Sequence, residues 1–391
     1  MIKNNYTCGI DIGTSTIKVV VMGFDKNKKE PAVLATGTSE TKGMRFGYIT
    51  NTDFVAASIG KAVKQAENVL GIKIRKTYVS ISGVSLSSVN ATGSVIISKA
   101  DQEITALDVK KVIENSEENL ELLNKKIVHT IPVAYKLDGK EIFARPEGLR
   151  GIKLEVKTLF ITCLKQNLED LTTAFALAKI DIEEIIASPI ITSNVLLNNK
   201  QKVAGCVLVD IGAETVSMAV FENSLPIFVQ IFPIGSMDIT KDIALGLRIS
   251  LEEAESIKLG SVVGGDYSKK KVDEIIEARL DDMFELIENN LKRLKRNELL
   301  PAGIILTGGG SLINGIEEIA KSQLKLPARV GPVDFSINNK FKVRDNSWYT
   351  ALGLALSSCD EYLIDQNNNS VGSNVKEIKS FFKSIFSQLL P

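Results

Sequence analysis

The sequence predicts an α/β protein of two similar lobes with a small α+β insertion in the first. Three observations predict it. The turn Asp11-Ile-Gly-Thr-Ser-Thr16 recurs as Asp210-Ile-Gly-Ala-Glu-Thr215, each time between two apolar runs. A triple glycine, 308–310, follows a further apolar run at 304–306. Short β-branched runs alternate with helical periodicities along the whole chain. One Asp-x-Gly turn is an ordinary hairpin. Two of them, one per half, followed by a glycine turn, mark a repeated plan around a shared cleft.

In chain order, residues 6–82 form the first part of the first lobe. They carry apolar strands on either side of the first turn, a helix over 53–70 with Asp53 as N-cap, and a strand over 76–82. Residues 83–163 form the insertion, with strands around 95–97, 127–135 and 156–162 and a helix from 106 or 107 to 123. Residues 164–200 return to the first lobe through a helix at 168–179 and an apolar stretch at 185–197. The second lobe takes 201–236, a helical lid 237–300, and the second lobe again 301–340, with strand, glycine turn and helix over 303–321. Residues 341–364 lead back to the first lobe through an Ala/Gly-containing helix at 348–356 that crosses between the halves. Residues 365–374 are a polar tether and 375–391 an amphipathic helix.

The two turns suit phosphate chemistry. Glycine lets backbone approach a ligand closely, and successive N–H groups with Ser and Thr hydroxyls form a concave donor surface. An Asp at each turn would repel bare phosphate, so its double occurrence implies a hydrated Mg2+ between carboxylates and phosphates. Lys18 is placed to reach a β- or γ-phosphate as a point charge. The triple glycine would let backbone pass beside a flat nucleoside, with the next helix N-terminus open to its phosphates.

In these loops and their order the chain resembles the actin/Hsp70/sugar-kinase superfamily, and within it most resembles the FtsA family of bacterial cell-division proteins. The second resemblance rests on Gly43-Met-Arg-Phe-Gly-Tyr-Ile49, on Val128-His-Thr-Ile-Pro-Val-Ala-Tyr135 with Asp138-Gly139, and on Arg145-Pro-Glu-Gly-Leu-Arg-Gly-Ile-Lys-Leu-Glu155. It rests also on 239–244, 251–258 and 276–280, similar to nucleotide-adjacent helices. It implies a two-lobed actin-like ATPase fold binding ATP and Mg2+. Gly13, Thr14, Ser15, Thr16, Lys18, Gly212, Ala213, Glu214, Thr215, Gly235, Gly308, Gly309, Gly310 and Ser311 would form the nucleotide site, with Glu255 and Lys258 near base and ribose. Asp11 and Asp210 would hold Mg2+ through water. The insertion corresponds to the family's subdomain 1C, used in self-association. The lid would carry a groove for the C-terminal peptide of FtsZ, the tubulin-like division GTPase, with Lys292, Lys295 and Arg296 on a helix over 289–298 as its basic rim. Other division proteins are further expected partners.

Two departures from the family pattern stand out. Ala213 and Glu214 replace glycines of the second loop, which would either weaken binding or leave Glu214 pointing outward, and Ser193 stands where actin has the glutamine that positions water. A serine without an activating base is a poor water activator, so slow hydrolysis at most is expected, with Asp210 the better group to orient water.

In the tail, Phe381, Phe382, Ile385, Phe386, Leu389 and Leu390 recur at three- and four-residue steps, with Lys379 and Lys383 on the other side. Such a helix is too short and too charged to span a bilayer. It would lie in the interface of an anionic membrane, and the family resemblance implies that it does so peripherally, on the inner face at the division site.

Composition agrees. With 47 basic and 47 acidic residues among 391, no global field points to nucleic acid. Four widely spaced cysteines read as buried thiols in a reducing cytoplasm, and the first strand begins at once, with no leader expected. The lone histidine, His129, sits in an apolar strand and reads as structural. Two alternatives share the fold: a pilus-assembly platform resembling PilM, against which the tail argues, and a small-molecule kinase, which lacks a further catalytic carboxylate.

Overall fold

The computed structural model describes residues 6–24, 31–260, 268–332, 335–338, 341–343 and 345–366. The first half opens with β1 (Tyr6–Ile12), β2 (Thr16–Phe24) and β3 (Pro31–Glu40), followed by a small hairpin of β4 (Met44–Arg45) and β5 (Tyr48–Ile49), then α1 (Thr52–Leu70) and β6 (Lys76–Ile81). The insertion holds β7 (Ser87–Ile96), α2 (Ala106–Glu118), β8 (Lys125–Leu137), β9 (Lys140–Ile142) and β10 (Lys153–Leu164). Next come α3 (Lys165–Leu177), β11 (Asp181–Ala187), α4 (Ser188–Leu196) and α5 (Asn199–Ala204). The second half holds β12 (Cys206–Ile211), β13 (Val216–Glu222), β14 (Leu225–Phe232), α6 (Ser236–Leu247), α7 (Leu251–Lys258), α8 (Lys269–Arg293), β15 (Ile304–Thr307), α9 (Ile316–Leu324), β16 (Ala328–Val330), β17 (Phe335–Asn338) and β18 (Phe341–Val343). Finally α10 (Tyr349–Gln366) packs on β1, β2 and α4.

The two halves repeat strand for strand. The first sheet runs β11-β6-β1-β2-β3, and the second begins β16-β15-β12-β13-β14. In each, a three-stranded antiparallel meander is extended by two parallel strands. The β-branched runs suit strands packed on both faces: Val19–Val21 and Val207–Val209 are buried throughout. The insertion continues the second sheet as β14-β7-β10-β8-β9, joined by the single pair Gln230 and Ser87. Its own small core places Val109 and Val112 of α2 against Leu154 and Val156.

Several boundaries differ from expectation for local reasons. Helix α1 starts at Thr52 because Asn51 Oδ1 accepts the Phe54 N–H at 3.0 Å; Asp53 falls in its first turn instead of capping it. Helix α2 stops at Glu118, not 123, and Leu123 takes a left-handed φ of 40° and is 96% exposed as the chain swings into β8. The strand expected at 95–97 is the end of a much longer β7, and α3 begins three residues before 168. Helix α10 is seated closely on the first-half sheet: a β-carbon at Gly9 would lie 2.5 Å from the Ala351 carbonyl, so glycine alone permits this seat. It also reaches Gln366, two residues into the expected tether.

His129 is structural as expected. Its Nε2 accepts the Ala187 N–H at 3.0 Å, and desolvation holds its pKa down at about 4. Cys8, Cys163 and Cys206 are buried free thiols. The Cys359 side chain, the rest of the tether and the amphipathic helix, with Phe381, Phe382, Ile385, Phe386, Leu389, Leu390, Lys379 and Lys383, lie outside the described residues. No helix among the described residues is long and apolar enough to cross a membrane.

Candidate functional site

Both turns are tight hairpins of one geometry. Gly13 N–H donates to the Thr16 carbonyl at 3.2 Å, and Gly212 N–H to the Thr215 carbonyl at 2.8 Å. They border a cleft of about 600 Å³, together with the triple glycine. The cleft sits where sheet topology favours a ligand. The residues directly after β1, β6, β11, β12 and β15, namely Gly13, Ser82, Ser188, Gly212 and Gly308, all line it, and each follows the carboxyl end of a strand with a parallel neighbour.

Of the expected nucleotide residues, Gly13, Thr14, Ser15, Thr16, Lys18, Gly212, Ala213, Thr215, Glu255, Lys258, Gly308, Gly309 and Gly310 line this cleft, as do Asp11 and Asp210. Three do not. Glu214 turns away and accepts the Phe46 N–H through Oε2 at 2.7 Å. Gly235 packs behind the second loop, where a β-carbon would overlap the Ala213 carbonyl, and it precedes α6, whose Ser236 and Met237 amides donate to the Gly212 and Ala213 carbonyls. Ser311 is buried and donates to the Gly308 carbonyl at 2.8 Å. The helix expected directly after the glycines starts only at Ile316; a 3-10 turn, Gly309–Leu312, takes its place at the cleft.

Sequence reasoning missed Gly47, Ser82, Ser188, Ser217, Ser347 and Thr350. For Ser82 and Ser188 a signal existed, since each follows an apolar strand end in the way Gly13 does. Ser217 had one too, standing two residues past the second loop as Lys18 does past the first; the others arrive from elements whose placement depends on the assembled fold.

The electrostatics of the cleft are uneven. Ser80 Oγ donates to Asp11 Oδ1 at 2.7 Å, and Lys18 Nζ donates to Thr16 Oγ1 at 2.8 Å. Desolvation raises the Asp11 pKa, with Lys18 and Ser80 pulling it back. Desolvation first, then the charge of Asp11, pushes Asp210 up to about 7, with Lys18 acting in the other direction. Two carboxylates thus share one lysine at a cleft where a cation would relieve both. No group of three or more His, Cys, Asp or Glu side chains that could cage a metal occurs among the described residues. On the lid side, Lys258 Nζ lies 2.6 Å from Glu255 Oε2 and donates to Thr240 Oγ1 at 2.8 Å and to the Ser236 carbonyl at 3.2 Å, binding α7 to α6.

Ser193 stands apart from this chemistry: it is buried in α4, and its Oγ donates to the Ile190 carbonyl at 2.7 Å. The expected basic rim is also not a helical face. Helix α8 ends at Arg293, and Lys295 takes a left-handed φ of 57°. Lys292 pairs with Glu288 at 2.9 Å, and Arg296 grips both oxygens of Glu222 on β13.

Comparison with known proteins agrees in both halves. The family model described as cell division protein FtsA matches residues 207–353, and that of the SHS2 domain inserted in FtsA matches residues 83–162. The cell division protein FtsA of Bacillus subtilis is 30% identical over 380 residues, covering 92% of this chain and 84% of the relative. That of Pseudomonas aeruginosa is 28% identical, covering 89% and 88%. Among solved structures, the PilM-PilN type IV pilus biogenesis complex superposes with a TM-score of 0.66 at 17% identity, over 90% of this chain and 98% of that one. MreB5 of Spiroplasma citri bound to ADP superposes with a TM-score of 0.54 at 12% identity, over 93% and 99%. These likenesses place the fold among the actin-like ATPases.

Proposed function

Because the chain belongs to the family of the cell division protein FtsA, we propose that it is an ATP-binding, actin-like division protein that polymerises and ties the FtsZ filament to the inner face of the membrane. The observation that carries the nucleotide part is the convergence of two homologous hairpins and a triple glycine on one cleft of about 600 Å³. The residues suit a magnesium nucleotide. Asp11 and Asp210 are two acceptor carboxylates short of countercharge, and Gly309 stands open, with nothing within 4 Å of where its β-carbon would be. Mg2+ would supply countercharge between carboxylates and phosphates through its own waters. Backbone amides and hydroxyls of 13–16 and 212–215 would hold phosphate oxygens, and Lys18 would add a point charge. Glu255, Lys258 and the glycine turn would hold the nucleoside.

ATP is here mainly a structural ligand that sets the angle between the halves and so biases the filament interface. The enclosed Ser193 hydroxyl supports slow turnover, leaving Asp210 to orient water. The FtsZ peptide would dock on the lid; since Lys292 and Arg296 already hold acidic partners, docking there must exchange ion pairs rather than add them. The membrane role rests on the tail sequence: three phenylalanines on one helical face and lysines on the other. The pilus-platform reading has only fold likeness behind it, at 17% identity.

Co-sedimentation with anionic liposomes in Mg-ATP tests the tether directly. The full chain should pellet with lipid as filaments, and a Phe381→Glu/Phe386→Glu variant should stay in the supernatant with unchanged ATP affinity. Equal pelleting of the two would remove the tail from the anchor.

A further inference from the structure

The carboxylate that separates the second loop from the first makes a contact that the nucleotide reading leaves unused. Glu214 Oε2 accepts the Phe46 N–H at 2.7 Å, and Oε1 lies 4.0 Å from Arg45 Nε. Phe46 sits at the tip of the β4–β5 hairpin, 168 residues away and in the other half. The next amide, Gly47 N–H, donates to Thr14 Oγ1 of the first loop at 3.2 Å, and Gly47 itself lines the cleft. Two consecutive amides of one tip therefore engage both loops.

The tip is built for this. Phe46 and Gly47 take left-handed φ values of 49° and 75°. That conformation is unfavourable for phenylalanine and persists where its surroundings over-determine it, here with an amide aimed at a carboxylate. The hairpin is closed at its base, where Thr50 and Asn51 amides donate to the Gly43 carbonyl at 2.8 and 3.1 Å, and is held to the first half where Gly47 packs on Gly83 with no space for a β-carbon. The second loop is fixed in turn to α6 through the Ser236 and Met237 amides. Parting the halves at the cleft thus requires breaking the Glu214 contact.

We propose that Glu214 is a positioning residue that latches the second loop to the hairpin tip, so that a nucleoside triphosphate leaves the cleft only when this contact opens. The inference rests on the nucleotide reading above. A latch that closes over bound ligand acts on release more than on capture. A hydrogen bond to a charged group is worth enough that its loss should speed release about tenfold. Arg45 is largely exposed and 4.0 Å away, so its charge contributes little.

The test uses the full chain and release of mant-ATP with Mg2+, followed by stopped-flow displacement. Glu214→Ala and Glu214→Asp, which removes the carboxylate and withdraws it by a methylene, should each release about tenfold faster. Glu214→Gln, whose amide oxygen still accepts the Phe46 N–H, should stay within about threefold of the parent. Arg45→Ala should match the parent. Hydrogen exchange of residues 43–49 in nucleotide-free protein should quicken in the Ala and Asp variants only, a readout independent of nucleotide. Equal release and equal exchange in parent and Glu214→Ala would overturn the latch while leaving nucleotide binding intact. A parent that binds no mant-ATP would overturn the nucleotide reading and the gate together, whatever the exchange shows.

Discussion

The two hairpin loops share a backbone and differ in what holds them, and the difference divides their labour. In the first, the parallel neighbour β6 places Ser80 beside Asp11, and its hydroxyl bonds that carboxylate. In the second, the matching residue on β15 is Thr307, paired in register with Asp210, but its hydroxyl donates to the Asn346 carbonyl at 3.1 Å. Asp210 is left with no side-chain hydrogen bond among the described residues, and Gly308 is pressed against it. The first loop is a polar hub whose charge is already partly settled. The second is a joint: it carries the unsettled carboxylate, leans on α6, and reaches the other half through Glu214.

The sharpest way to break this contrast is at Gly308. Its φ is +83°, and a β-carbon would overlap Asp210 Oδ1 and the Ile211 carbonyl. Gly308→Ala should cost about 2–5 kcal/mol, since left-handed strain and overpacking each cost about 1–3 kcal/mol. Gly309→Ala, with open space at its β-carbon, should stay within about 0.5 kcal/mol of the parent. Equal denaturant midpoints for the two would mean that Asp210 is not confined as described.

Next in size is the charge itself. In nucleotide-free protein at pH 8, Asp210→Asn should raise stability by about 1–2 kcal/mol, because it removes a desolvated charge that Lys18 offsets only in part. Asp11→Asn should gain less, because both variants give up the Lys18 attraction but only this one also weakens a Ser80 bond. Both should weaken Mg-nucleotide binding. A larger gain at Asp11 would reverse the assignment of hub and joint.

Local chemistry made much of this legible in the sequence. Turn residues state their own geometry, so the two hairpins and the glycine turn could be read directly, and the strand-for-strand repeat followed from them. Position along a helix was less legible. Asn51, Thr52 and Asp53 are all good caps, and only the fold selects the first. Residues 119–123 continue an apolar spacing past Glu118, yet the chain must turn there to reach β8. Least legible was the partner of Glu214, since an outward direction was one of two readings and the amide it meets was in neither. A carboxylate in a phosphate loop reads as a defect until its partner, an amide 168 residues away, is in place. The helical placement of the basic rim was misread likewise, because α8 ends at Arg293 and Arg296 turns to Glu222 of a distant strand.

The smallest effect separates the loops by how their carbonyls are held. In the first, Thr41 Oγ1 donates to the Gly13 carbonyl at 2.8 Å while the Thr41 amide donates to the Ser15 carbonyl at 2.9 Å. In the second, both donors are backbone amides, those of Ser236 and Met237. Substitution at these carbonyl donors can therefore loosen the first loop and not the second. Thr41→Val keeps the shape and removes the hydroxyl, so it should cost about 1 kcal/mol and speed exchange of amides in 13–16. Ser236→Ala leaves its amide in place and should change stability by less than about 0.5 kcal/mol, with no change in exchange at 212–215. A silent Thr41→Val beside a destabilising Ser236→Ala would show that the second loop, not the first, depends on side chains, and the joint would then be the adjustable part of the cleft.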